Sequence, residues 1–107
     1  MRYLDRKIKA IEQQITAARL ALNAPTDKRA DSAMFDAQRY AIGFTHRAIN
    51  GRLTPKGLFI NANRLAGLIA AARPAIPARD GIALNTIDRA QRAAYALAAA
   101  LRPDAVA

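Results

Sequence analysis

Apolar residues recur along most of this chain at steps of three and four, and no stretch alternates apolar with polar in the manner of a strand. From the amino end, Leu4, Ile8, Ile11, Ile15, Ala18 and Leu22 follow one another in this way. Residues so spaced fall on one side of a 3.6-residue turn and make the buried seam of an amphipathic helix. The pattern predicts a first helix over 2–23, ended by "NAPTD" at 23–27, where Pro25 forbids continuation. A second helix is expected over 32–50, capped by Asp31 or Ser32. Its apolar arc comprises Met34, Phe35, Ala37, Ala41, Ile42, Phe44, Ala48 and Ile49. Gly51 stands where a left-handed residue closes a helix, so "NG" reads as a helix stop rather than a hairpin.

The third helix, expected over 55–73, has a legible start. Thr54 is a good N-cap, Pro55 fits the first helical position, and Leu53 and Leu58 stand where a hydrophobic staple pairs. Leu58, Ala62, Leu65, Ile69 and Ala72 form its stripe, and Pro74 stops it. "PAIPARDGIALN" at 74–85 reads as a connection whose Ile76, Ile82 and Leu84 pack on the bundle. The fourth helix is expected over 86–102, starting at Asn85 or Thr86 and closed by Pro103. Its seam is Ile87, Ala90, Ala94, Leu97 and Leu101, with Ala98 alongside.

Four amphipathic helices with short connections predict an all-α protein, a small four-helix bundle or related compact helical array, in one domain over 1–107. Hydrophobic residues are 52% of the chain but aromatic ones only 6%. A core of small side chains fills space only if backbones approach closely. The alanine-rich faces of the third and fourth helices predict that these two lie closest.

This composition removes most catalytic chemistries. Metal sites need clustered His, Cys, Asp or Glu, and the chain has one histidine, His46, no cysteine and one glutamate. No two carboxylates are expected one turn apart on a helix, since Asp31 and Asp36 are separated by five residues. Ser32 and His46 are the only ingredients for a serine nucleophile with its base, and Ser32 reads better as a cap. Neither a GxGxxG nor a GxxxxGK[ST] phosphate loop is present. The expectation is a protein that is not an enzyme, with no cofactor, no metal and no small-molecule substrate.

A helix-turn-helix is disfavoured as well. The connection after Arg73 is too long, and the third helix presents outward only Lys56 and Arg64 before its last turn. The amino end carries charges through every turn, and the longest nearly uncharged run, 93–101, is far too short to span a bilayer. The reading is therefore of a cytoplasmic protein without a membrane partner.

Net charge changes the picture most. Seventeen Lys and Arg against eight Asp and Glu give +9. The excess is +4 over 1–30, +1 over 31–54, +3 over 55–73 and +1 over 74–107. Such a surplus attracts a polyanion or an acidic protein surface. Thirteen of the cations are arginine beside abundant alanine, as GC-rich coding would also produce.

Within "RYAIGFTHRAINGR" at 39–52, Arg39, Tyr40, Gly43 and Arg47 fall on the polar side of the second helix, with His46 at its boundary. Arginines around an exposed aromatic suit single-stranded nucleic acid, with cations on phosphates and the ring on a base. The same combination suits a protein hot spot. The plainer alternative lays Tyr40 flat on the bundle with Arg47 paired to Asp36 or Asp31. Arg2, Arg6 and Lys9, with Gln13, make a second stripe opposite the seam of the first helix. Tyr95, near Arg92 and Arg102, is a fainter echo of Tyr40. The expected function is a nucleic-acid-associated accessory protein. The alternative is an interaction module for an acidic protein surface, as a monomer or as a homodimer through the first helix.

Overall fold

The computed structural model describes residues 2–22 and 26–102. Within them four α-helices run in order: α1 (Tyr3–Leu20), α2 (Lys28–Ile49), α3 (Pro55–Ala72) and α4 (Gly81–Ala100), with a 3-10 turn at Arg73–Ala75. The chain is an all-α four-helix bundle, 45 × 24 × 18 Å. Each helix packs on its neighbours in sequence, and α4 returns to α1 to close the ring. Successive helices are antiparallel. Arg2 at the start of α1 donates to the carbonyl of Ala48 at the end of α2, and Arg19 at the finish of α1 meets Asp31 near the start of α2.

The expected seams form the core. Ile8, Ile11, Ile15 and Ala18 of α1 are buried, as are Ala62, Leu65, Ile69 and Ala72 of α3 and Ile87, Ala90, Ala94 and Leu97 of α4. Alanine supplies about half of the buried apolar side chains, with Phe44 and Met34 of α2 the bulkiest elements on that helix. α1 shares the most extensive seams, with α2 and with α4, and the α3–α4 seam is nearly as extensive.

Helix ends follow local chemistry where that chemistry is strong. Thr54 Oγ1 accepts from the Gly57 amide at 3.0 Å and Pro55 opens α3. Gly51 has φ +66°, and the amides of Gly51 and Arg52 donate to the carbonyls of Ala48 and Arg47. That pair of bonds satisfies two of the last carbonyls of α2.

Two starts lie earlier than expected. α2 begins at Lys28, which places Asp31 and Ser32 inside the helix rather than at its cap. Burial of Ala30 and the Arg19–Asp31 pair recruit the extra turn. α4 begins at Gly81, so Asn85 and Thr86 are interior, because Ala83 continues the Ile87–Ala90 seam one turn back.

Corrections also fall on side chains. Phe35, Ile42 and Ile49 of α2, expected in its apolar arc, are 44%, 39% and 46% exposed. In the connection Ile76 is buried and Leu84 packs on the core, but Ile82 is exposed. α1 ends at Leu20; the predicted stops at Pro25 and Pro103 lie outside the described residues.

Candidate nucleic-acid interface

The α2–α3 groove gathers Arg39, Tyr40, Gly43 and Arg47, together with Asp36 and Leu68, around a shallow, open depression of about 360 Å³. The four residues predicted to share a face therefore do so. Tyr40 lies on the bundle, as the plainer alternative has it, but its hydroxyl and Arg47 find a partner neither version named. The ring of Tyr40 packs on the core, and its hydroxyl donates to Asn61 Oδ1 of α3 at 2.9 Å. Arg47 donates to the same oxygen at 2.6 Å, and its guanidinium carbon lies 5.7 Å from the centre of the Tyr40 ring. Arg47 thus pairs with neither Asp36 nor Asp31. Asn61 is anchored in turn through its amide, which donates to the Gly57 carbonyl at 2.7 Å.

Gly43 makes this possible. A Cβ at that position would sit 3.0 Å from Arg47 Nη1, so the guanidinium lies across the bare backbone of α2. Asn61 escaped the sequence reading. Its signal was a polar residue in "LFINAN", one turn after Gly57 and one turn before Leu65.

The stripe on α1 is only partly free. Arg2 pairs with Asp5 at 3.3 Å and Lys9 with Glu12 at 3.2 Å, while Arg6 is exposed and has no ion-pair partner among the described residues. The stripe and the Tyr40 groove flank α2 on different sides, since α1 and α3 pack against it separately. They approach each other only at the end of α2, where Arg2 bonds the Ala48 carbonyl. Tyr95 lies in a separate groove with Arg73, Asp88, Gln91 and Arg92. His46 is exposed at the edge of α2.

Carboxylates gather at one end of the bundle. Where α1 and α3 finish, Arg19 holds Asp31 at 2.7 Å, Arg73 holds Asp88 at 2.5 Å, and Arg79 holds the buried Asp27 at 2.5 Å. Hydrogen bonds from Arg19 and from Arg73 hold the carboxyls of Asp31 and Asp88 below the usual range and raise both guanidinium groups. Asp80 behaves in the opposite way. Asp27 Oδ2 and Asp80 Oδ2 are both buried and find no N–H donor, and the two carboxyls lie within hydrogen-bonding reach of each other. A hydrogen bond between them, with burial and the Asp27 charge, raises the Asp80 carboxyl above its ordinary value.

The fold therefore joins two carboxylates 53 positions apart, a pair the sequence reading did not expect. It pins the start of α4 to the start of α2. Among the described residues no three His, Cys, Asp or Glu side chains gather to hold a metal ion, and no helix is long and apolar enough to cross a membrane.

The opposite end is different. Where α1 and α3 begin and α2 and α4 finish, Arg2, Arg6, Lys7, Arg47, Arg52, Lys56 and Arg102 converge on one pole. Among the described residues Asp5 is the carboxylate they share, and it is already held by Arg2. Arg6, Arg52, Lys56 and Arg102 are exposed and, among the described residues, have no ion-pair partner. No protein-family model, curated protein or solved structure matches this chain.

Proposed function

We propose that this is a non-catalytic binding protein that contacts the phosphate backbone of nucleic acid through its basic pole, as an accessory to another activity. The segregation of charge along the bundle axis carries the reading. The antiparallel fold sets three Arg–Asp pairs at one end, beside the exposed Lys28 and Arg29. It brings seven cations to the other, where Asp5 is the one carboxylate among the described residues, so the +9 surplus is weighted toward that pole. Arg6, Arg52, Lys56 and Arg102 are free to displace counterions from phosphates. Arg39 and Arg47 extend the cationic surface up the α2–α3 groove. Tyr40 serves there as a wall rather than a stacking platform, because its hydroxyl is bonded and Arg47 lies beside its ring. The contact is thus with backbone charge more than with bases, and sequence specificity is weak.

The test is a titration of labelled single-stranded and duplex oligonucleotides of mixed sequence across a range of salt. Affinity should fall steeply with salt, with log K against log[salt] sloping by roughly −0.7 or −0.9 per phosphate contacted. Arg52→Glu with Lys56→Glu should weaken binding at least tenfold and flatten that slope. Arg29→Glu at the opposite end should change it by less than threefold. Binding that ignores salt, no binding near physiological salt, or equal effects at the two ends would refute the proposal.

A further inference from the structure

Phe35, Ile42 and Ile49 are the three large apolar side chains that α2 leaves in solvent, and they stand seven residues apart. At about 100° per residue a seven-residue step drifts only ~20°, so the three form one continuous row about 21 Å long. Arg19 of α1 covers part of the row at one end, its guanidinium carbon 4.7 Å from the Phe35 ring centre. Leu20, 82% exposed, lies in the same α1–α2 groove beside Asp31 and Gln38. The basic pole and the Tyr40 groove do not use this row, which faces away from α3.

We infer that the row is a docking surface for an amphipathic helix of a partner protein, one with apolar residues at heptad spacing flanked by carboxylates. The strict seven-residue repeat is what a second helix reads, because a helix wound gently around α2 meets the row once in every two turns. Charge selects the chemistry of that helix. Arg39 and His46 follow Phe35 and Ile42 by four residues and border the row on one side. Arg19, over the Phe35 ring, and Arg2, bonded to the Ala48 carbonyl, border the other.

The carboxylates nearest the row, Asp5, Glu12 and Asp31, are each already held by a cation of α1. Asp36 lies about a quarter-turn or more away, in the α3 groove. A second copy of this chain fits poorly, since two-fold pairing through Ile42 would bring the Arg39 side chains of both copies to one seam with no free carboxylate beside them. Glutamates flanking a partner's apolar seam would meet them instead.

The probe is a synthetic 21-residue peptide of three heptads, with leucine at the two seam positions and glutamate at the flanking ones. Fluorescence anisotropy should give binding in the micromolar range. A scrambled peptide of the same composition, and one with lysine for glutamate, should each bind at least tenfold more weakly. Ile42→Ser should weaken the first peptide at least tenfold while leaving oligonucleotide binding unchanged, which separates this surface from the basic pole. Should Ile42→Ser unfold by circular dichroism, Ile49→Ser carries the same test. Equal binding of the scrambled peptide, or full affinity in a folded Ile42→Ser or Ile49→Ser, would overturn the inference. So would a concentration-dependent dimer in sedimentation that Ile42→Ser abolishes, since the occupant would then be a second copy.

Discussion

Gly43 sits in the middle of a 22-residue helix with no turn to make and no positive φ. Replacing it with alanine isolates what its missing side chain does. A glycine in a helix interior costs about 1 kcal/mol relative to alanine, so Gly43→Ala begins with a gain of that size. Against it, the new Cβ would lie 3.0 Å from Arg47 Nη1 and 3.8 Å from Cζ, closer than ordinary contacts at the first atom. That atom is the far end of a flexible side chain, so a shift of a few tenths of an ångström relieves the clash.

That shift loosens the 2.6 Å bond from Arg47 to Asn61 and its place beside Tyr40. A half-exposed bond from a charged group is worth about 1 kcal/mol, of which a displaced guanidinium retains part. The net expectation is a gain of about 0.5 kcal/mol in the native background. In an Arg47→Ala background, where nothing lies over the backbone, the full ~1 kcal/mol should return. Urea unfolding of the four proteins in this cycle, followed by circular dichroism, reads the difference as a coupling of about 0.5 kcal/mol. Equal gains in the two backgrounds would mean that Arg47 does not rest on Gly43. A net loss in the Arg47→Ala background would refute the helix-propensity argument itself.

Acid titration should show two opposed contributions. Asp31 and Asp88 have lowered carboxyls, so each contributes stability above the ordinary carboxylate pKa that is lost as pH falls through its lowered one. Asp31→Asn with Asp88→Asn should therefore lower Tm at neutral pH and flatten its decline below about pH 4. Asp80 has a raised carboxyl, so its contribution is present at acid pH and is lost as pH rises through that raised value. Asp80→Asn, which keeps a donor toward Asp27, should raise Tm at neutral pH and leave it unchanged in acid. Arg79→Ala removes the cation from a carboxylate whose side chain is 1% exposed, and Tm should fall at neutral pH, a loss that Asp27→Asn in the same chain partly restores. Thr54→Ala should cost about 1 kcal/mol in urea unfolding, through loss of the Gly57 cap.

Much of the bundle was written in local pattern. The seams of α1, α3 and α4 are buried as the three- and four-residue steps require, and the Thr54–Pro55 start and Gly51 stop hold because their chemistry acts within a few residues. The face shared by Arg39, Tyr40, Gly43 and Arg47 was equally legible, since helical register alone sets it. What lies beyond one helix was not. Phe35, Ile42 and Ile49 are apolar and in register with the arc, but α1 covers only one side of it, so their exposure depends on where the neighbouring helix stops. The extra turns of α2 and α4 exist because Ala30 and Ala83 find a core to enter. Asn61 joins Tyr40 and Arg47, Asp80 joins Asp27, and free cations collect at one pole only once antiparallel packing brings distant positions together. Periodicity assigns each side chain a direction; what stands in that direction is decided by the other helices.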